Sequence, residues 1–511
     1  CVNEMKVDEN EISSYIRNGF FYDEKTPFQD VYEVSPGTIL TEDLLDHKRN
    51  NYLVGVFEDT DSVGVAVADL STGDFRVSEC LGSELWEMLG RIGPAEVVAP
   101  ETWCKVNAEA FANQLEGALL TRCEDWSFSR TYAYETLIQH FRTKSLKGFG
   151  VDGLASGVRA AGGVLNYLKE NQRGSISHIT ALKVEDQTEQ MSLDLVTQRN
   201  LELVSAIQDG RREGTLLSVL DKTRTAPGAR LLREWLFRPL TRLGSIERRL
   251  DAVSELFETN RLRGDLRDSM KDVGDIERII SKVCCGRATP RDLGVLRDSL
   301  KSIHPIREHL GGSQSNLLNE LATGLPDLSE LETLIDKTLV DDPPVQFAEG
   351  GVVRAGVRAE LDELRDAASG GREWVAGLQT REREATGIPS LKVSYNKAFG
   401  YYIEVTRANL DKVPETFFRK QTLVNAERFI TPDLKDWEAK ILGADERAKT
   451  LEKDLFFTLR EEVASWVISL QETARSIAAV DVLCSFAEVS KLQGYVRPLV
   501  DNGALIEILG G

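Results

Sequence analysis

Residues 391–432 read LKVSYNKAFGYYIEVTRANLDKVPETFFRKQTLVNAERFITP, a β-rich insert that interrupts a long helical pattern. Apolar and polar residues alternate at its start. This predicts Leu391, Val393 and Tyr395 on one face of a strand, and Lys392 and Ser394 on the other. The insert carries seven lysines and arginines against four aspartates and glutamates, in a chain whose formal net charge is −20. A basic island on an acidic protein indicates a docking surface for a polyanion, although a solvated hairpin with scattered lysines would have the same charges.

Two long helical patterns flank the insert. The first is predicted over residues 354–385, with a weak point at Ser369–Gly371. The second opens at Thr431 and Pro432, where threonine can cap a helix and proline suits its first position. Apolar residues then recur in steps of three and four as far as Val467, which predicts about 40 helical residues and a rod of roughly 60 Å. The insert is therefore predicted to lie at the tip of a two-helix arm.

The rest of the chain divides into an alternating part and a helical part. Strand and turn signals alternate from about residue 28 to residue 110, as in Ser62–Leu70 followed by the turn Ser71–Asp74, and this indicates an α/β domain. From about residue 125 the periodicity becomes helical; the leucines and Trp235 of Arg230–Leu236, for example, are predicted core residues.

Length, composition and the absence of certain motifs limit the classes of protein to which the chain can belong. A chain of 511 residues is long enough for two to four domains. No apolar run reaches the roughly 18 residues of a membrane span, and the polar, acidic first residues do not resemble a signal peptide. Seven cysteines without a Cys-x-x-Cys pair and five scattered histidines favour structural roles in a reducing compartment over a metal site. The sequence contains no G-x-x-x-x-G-K-[ST] phosphate loop, so this chain is not expected to be an enzyme by itself.

Several motifs closely resemble the MutS family of mismatch-repair proteins. The insert is similar to the family's DNA clamp at Leu391–Lys397, Phe399–Val405, Arg419–Leu423 and Asn425–Phe429. Similarity to the connector, the helical core and the segment before the ATPase domain is carried by Val34–Thr38, Asn50–Leu53, Asp69–Gly73, Gly274–Arg278, Ala288–Leu293 and Gly494–Pro498.

The resemblance implies a multidomain α+β fold. Its parts would be an N-terminal α/β connector of ribonuclease-H-like fold, a mainly α-helical core, and long lever helices that carry a β-rich clamp. The implied layout is an N-terminal remnant or linker at 1–30, connector at 31–125, helical core and first lever helix at 126–390, clamp at 391–431, second lever helix and return to the core at 432–490, and a lead-in to a missing ATPase domain at 491–511.

The resemblance also implies a role in DNA mismatch repair. The parent protein would be a dimeric, DNA-dependent ATPase whose ATP and Mg²⁺ bind in the missing domain, and whose nucleotide state moves the levers to close the clamps on duplex DNA. The implied partners are double-stranded DNA, a second copy of the same protein, and downstream repair proteins that dock on the connector. The implied location is the cytoplasm, at the nucleoid, without a membrane.

Eight clamp residues are candidates for contacts to the DNA backbone. Ammonium and guanidinium groups pair with phosphate oxygens, and amide groups add neutral hydrogen bonds that carry little sequence information. Tyr401 and Tyr402 are predicted to be packing residues, and a hairpin turn near Asn396 to Gly400 would present Asn396 and Lys397 at its tip. The candidates are Lys392, Asn396, Lys397, Arg419, Lys420, Gln421, Asn425 and Arg428.

Two other functions compete with this interpretation. A ribonuclease-H-like domain can be a metal-dependent nuclease, for which Asp69 and Asp74 are the tempting carboxylate pair. Alternatively, the chain is a structural arm that docks partner proteins without DNA affinity of its own.

Overall fold

The structure of the protein is a computed structural model. It describes residues 46–115, 117–171, 175–185, 189–191, 193–396, 400–503 and 505–508. The predicted N-terminal remnant and the connector-like Val34–Thr38 lie outside these residues. Within them the chain forms two compact units, one from residues up to 288, 298–328 and from 463 onward, the other from 289–297 and 329–462. None of the described helices combines the length and the apolar character that crossing a membrane requires.

The first unit begins with a mixed six-stranded sheet in the order β5-β4-β1-β2-β3-β6. Strands β1, β2 and β3 form an antiparallel meander, whereas β4, β5 and β6 each run parallel to their neighbour. Every residue of β2 is buried, which explains its nearly continuous apolar sequence. The strands are β1 Tyr52–Glu58, β2 Val63–Asp69, β3 Asp74–Cys80, β4 Glu96–Pro100, β5 Leu119–Cys123 and β6 Lys183–Val184.

Helices cover both faces of this sheet. The first four are α1 Leu85–Ile92, α2 Glu101–Gln114, α3 Arg130–His140 and α4 Ala155–Asn171. Helix α4 lies directly on β1 and β2, where Gly55 and Gly64 leave room for it: a Cβ atom on Gly55 would stand 2.8 Å from the Ala160 carbonyl oxygen. The predicted end of the α/β domain at residue 125 is therefore too early, because α4 packs on this sheet instead of starting the helical core.

The remaining helices build the helical core and the second unit. In chain order they are α5 Leu195–Asn200, α6 Leu216–Leu220, α7 Ala226–Phe237, α8 Leu243–Glu258, α9 Asn260–Ser269, α10 Ile276–Cys284, α11 Pro290–Leu310, α12 Asn316–Thr323, α13 Ser329–Thr338, α14 Ala359–Thr386, α15 Pro432–Ala464 and α16 Val467–Gln493. Helix α16 is central to the first unit and packs against α7, α8 and α10. The predicted core residue Trp235 lies with its ring centroid 6.3 Å from that of Phe486.

The second unit carries a four-stranded antiparallel sheet between α14 and α15, as the β-rich insert predicts. Its strands are β7 Lys392–Asn396, β8 Gly400–Thr406, β9 Phe418–Thr422 and β10 Ala426–Ile430, in the order β7-β8-β10-β9. This sheet is called the clamp sheet below. The chain is thus a multidomain α+β protein with an N-terminal α/β part, a helical core and two long helices flanking a small β-rich region.

The predicted start of α15 is confirmed, but its predicted length is wrong. The Leu434 backbone N–H donates to Thr431 Oγ1 at 3.2 Å, and Pro432 is the first helical residue. The helix ends after 33 residues, which is about 50 Å, because the chain turns at Ser465 and Trp466 before α16 begins. The apolar spacing continues through this turn, so periodicity alone predicts one helix where the chain forms α15 and the start of α16.

The segment Ser369–Gly371, predicted to be a weak point of α14, instead makes a close contact with α15. The helix begins at Ala359, later than predicted, and continues unbroken through Gly370 and Gly371. A Cβ atom on Gly371 would overlap Ile441 Cγ1 and stand 3.0 Å from Ile441 Cδ1 and 3.5 Å from Trp437 Cε3. Gly371 therefore lets α14 and α15 approach each other.

Candidate nucleic-acid interface

The clamp sheet has one face packed on helices and one open face. Leu391, Ile403, Val405 and Phe429 are buried in a cluster with apolar residues of α14 and α15. Because side chains alternate along a strand, the residues between them point away from the helices. The predicted alternation along β7 is confirmed, since Val393 packs against this cluster while Lys392 is exposed.

Four side chains form a row across the open face, one from each strand. Lys392 on β7 lies opposite Glu404 on β8, Glu404 lies opposite Arg428 on β10, and Arg428 lies opposite Gln421 on β9. Three of them are predicted contact residues, and the register brings them together on one surface. Glu404 is the acid in this row, and the prediction did not include it.

Arg428 organises the centre of the row. Its Nε donates to Glu404 Oε2 at 3.1 Å and its Nη1 donates to Gln421 Oε1 at 2.9 Å. The guanidinium carbon lies 4.1 Å from the ring centroid of Tyr402, which it covers and helps to bury. Only 18% of the Arg428 side chain is exposed, so Arg428 is tied to its neighbours instead of extending into solvent.

The tyrosines are packing residues, as predicted. Tyr402 lies under Arg428, and Tyr401 packs beside the buried cluster with its ring centroid 4.9 Å from that of Tyr395. The Tyr401 backbone N–H donates to Glu438 Oε1 at 3.1 Å, which fixes the start of β8 to α15.

A bulge in β9 separates the two adjacent cations. Phe429 pairs with Arg419 and Arg428 pairs with Gln421, so Lys420 is the extra residue and has no partner in the strand register. Arg419 consequently shares the face of Phe429, and its Nε lies 2.8 Å from Oε2 of the buried Glu427. Arg419 is therefore not part of the open face, whereas the Lys420 side chain is exposed at the sheet edge.

The remaining amide candidates lie at opposite ends of the clamp sheet. Asn396 is the last residue of β7, while Asn425 lies in the turn between β9 and β10, next to the end of β8. The seven residues of β8 separate the two ends by about 20 Å, so Asn396 and Asn425 cannot bind the same phosphate. The candidate Lys397 lies outside the described residues.

Arg407 is a further cation, at the turn between β9 and β10, that the prediction passed over. Its Nη2 donates to the Leu423 carbonyl oxygen at 3.3 Å, and its backbone N–H donates to the Asn425 carbonyl oxygen at 3.2 Å. The guanidinium of Arg407, the residue that follows β8, is thus held against the turn that contains Asn425.

The carboxylates of the nuclease alternative serve the structure of the first sheet. Asp69 is fully buried; Ser71 donates to its Oδ1 through backbone N–H at 2.9 Å and through its hydroxyl at 2.7 Å. Burial raises the pKa of Asp69. Burial would also raise the pKa of Asp74, but its ion pairs with Arg76 at 2.7 Å and Lys183 at 3.2 Å lower it overall. Among the described residues, no group of three or more His, Cys, Asp or Glu side chains could hold a metal ion.

Known proteins match nearly the whole chain. The profile of MutS domain II matches residues 51–180, and that of MutS domain III matches residues 196–487. The DNA mismatch repair protein MutS of Salinibacter ruber is 44% identical over 490 residues, which cover 94% of this chain and 54% of that protein. The protein of the same name from Symbiobacterium thermophilum is 43% identical over 481 residues, 93% of this chain and 55% of that protein. The chain therefore spans about half the length of the curated relatives it matches.

Proposed function

The chain belongs to the MutS family, and on that premise we propose that it acts in DNA mismatch repair as the section of a longer protein that grips duplex DNA. The observation that carries this proposal is the open face of the clamp sheet. It presents Lys392 and Gln421, with Lys420 exposed at the edge of the same sheet, at the end of two long helices on a chain whose formal net charge is −20.

The grip we propose reads the DNA backbone and not the bases. The exposed ammonium groups of Lys392 and Lys420 pair with phosphate oxygens, and the amides of Gln421 and Asn425 add neutral hydrogen bonds. Contacts of this kind position a duplex without reading its sequence, and their strength falls steeply with salt concentration. Arg428 supports the grip by fixing Gln421 and covering Tyr402.

We assign the motor of the parent protein to residues beyond this section. We propose that α14 and α15 act as levers that close the clamp sheet on DNA, in a pair of identical subunits in the cytoplasm at the nucleoid. ATP and Mg²⁺, when bound by residues outside this chain, would supply the energy for that motion. Because the 511 residues contain no G-x-x-x-x-G-K-[ST] loop, no residue of this chain is assigned to ATP or Mg²⁺. Docking of downstream repair proteins on the N-terminal sheet region belongs to the same proposal.

The test is a titration of the 511-residue chain with labelled duplex DNA, followed by fluorescence anisotropy at several salt concentrations. The variant Lys392→Glu/Lys420→Glu removes two phosphate contacts. The negative slope of log K against log salt should therefore become shallower by about 2. The matched control is Lys144→Glu/Lys147→Glu, which makes the same charge change at two exposed lysines of the first unit.

The outcomes distinguish the two functions. Binding that weakens in the clamp variant and not in the control, with equal affinity for matched and mismatched duplexes, supports a grip on the backbone. If the wild-type chain binds no duplex at low salt, or if both double variants lose affinity equally, the open face is not a DNA site and the chain is better explained as a structural arm that docks partners.

A further inference from the structure

We infer that Glu404 is a built-in competitor for phosphate, which limits how tightly the clamp sheet holds DNA. This inference rests on the proposed function, because it concerns the strength of the same contact. It arises from the position of Glu404 in the open-face row, between the cation of β7 and the cation of β10.

The geometry gives Glu404 two cationic neighbours. Lys392 lies directly opposite it on one side and Arg428 on the other, and side chains opposite each other in antiparallel strands have Cβ atoms about 5 Å apart. Glu404 accepts from Arg428 Nε at 3.1 Å, while the ammonium group of Lys392 is exposed. The carboxylate therefore has a second partner within reach on the opposite strand.

Charge makes Glu404 a competitor. A phosphate that approaches the middle of the row meets a guanidinium that a carboxylate already holds, together with the repulsion of that carboxylate. A phosphate that binds Arg428 Nε must displace Glu404 from it, and Lys392 can then pair with the released carboxylate. Each step costs part of the attraction that the phosphate gains, so the bound duplex is held less tightly than the cations alone would hold it.

Glu404 is not needed for the fold of the clamp sheet. Its side chain is 32% exposed and lies on the face opposite the buried cluster of Ile403, Val405 and Phe429. The bond of Arg428 to Gln421 and its contact with Tyr402 do not involve Glu404, so we expect both to persist in Glu404→Gln. A glutamine at position 404 would also retain an oxygen that accepts from Arg428 Nε.

The test compares Glu404→Gln with Glu415→Gln in the 511-residue chain. Glu415 is an exposed acid between β8 and β9, so its neutralisation reports the general effect of one charge on DNA affinity. We expect Glu404→Gln to bind duplex DNA roughly fivefold more tightly than Glu415→Gln at low salt, and to steepen the salt slope by about 1, equivalent to one added phosphate contact. Arg428→Gln should cost more affinity in the Glu404→Gln background than in the wild type.

A Glu404→Gln variant that binds DNA no more tightly than Glu415→Gln overturns the inference. Weaker binding by Glu404→Gln also overturns it, because that result would mean that Glu404 serves to position Arg428. A wild-type chain that fails to bind DNA refutes the proposed function instead.

Discussion

Substitution of alanine for Gly371 tests whether the packing of α14 against α15 depends on the close approach at this glycine. The Cβ atom would overlap Ile441 Cγ1 and lie 3.0 Å from Ile441 Cδ1, although carbon atoms in contact prefer about 3.5–4.0 Å. Ile441 is 2% exposed and belongs to the cluster under the clamp sheet, so it has little room to move. Gly370 is the matched control, because a Cβ atom there would meet nothing within 4 Å.

The magnitude follows from two opposing effects. Alanine in place of glycine inside a helix stabilises by about 1 kcal/mol, and this gain applies equally to both positions. Overpacking at a well-packed contact costs about 1–3 kcal/mol, and this cost applies only to Gly371→Ala. We therefore expect Gly370→Ala to stabilise by up to about 1 kcal/mol, and Gly371→Ala to be about 1–3 kcal/mol less stable than Gly370→Ala.

Hydrogen exchange of backbone amides in α14 and α15 is the suitable assay, because it reports local opening in a chain with two compact units. A second change, Ile441→Val, should recover part of the loss in Gly371→Ala by making room at Cδ1. Equal protection in Gly370→Ala and Gly371→Ala would refute the close contact, and would restore the interpretation of Ser369–Gly371 as a weak point in the helix.

Two further predictions concern a helix cap and a buried histidine. Thr431→Ala removes the acceptor of the Leu434 N–H and should lower the stability of the start of α15 by about 1 kcal/mol in chemical denaturation, whereas Thr431→Ser should keep it. Burial lowers the pKa of His178 to about 4, and its Nε2 lies 2.8 Å from the Leu70 carbonyl oxygen. The unfolded chain binds this proton more readily between pH 4 and 6.5, so stability should fall by up to about 3 kcal/mol as pH is lowered through that window. Hydrogen exchange in β2 at pH 7 and pH 4.5 measures the loss, and His178→Gln should lessen it; an unchanged pH dependence in that variant would contradict the assignment.

Periodicity predicted the elements of the second unit well. The change from helical spacing to strict alternation at Leu391, and back at Thr431 and Pro432, placed the β-rich insert between two helices, because the two periods are distinct over a few residues. Periodicity failed where it does not change: α4 has helical spacing like that of the core helices, and nothing in the spacing indicates that it packs on a sheet.

The candidate site was predicted in part. Residue chemistry selected cations and amides, and Lys392, Gln421 and Arg428 do share the open face. The bulge at Lys420 shifts the register of β9, and with it Arg419 to the other face. Glu404 was not among the candidates because a carboxylate does not bind phosphate. Its proposed effect on DNA binding comes from its position between two cations, which only the strand register shows.

The sequence by itself determined the family, the order of the elements and the positive charge of the insert, because these depend on residue types and on spacing along one segment. Tertiary structure decided which side chains meet. The strand register placed Glu404 next to Arg428, and the approach of two helices turned Gly371 from a predicted weakness into a contact. Such relations join residues that are distant along the chain, and a one-residue shift in pairing reverses the face of every side chain that follows it.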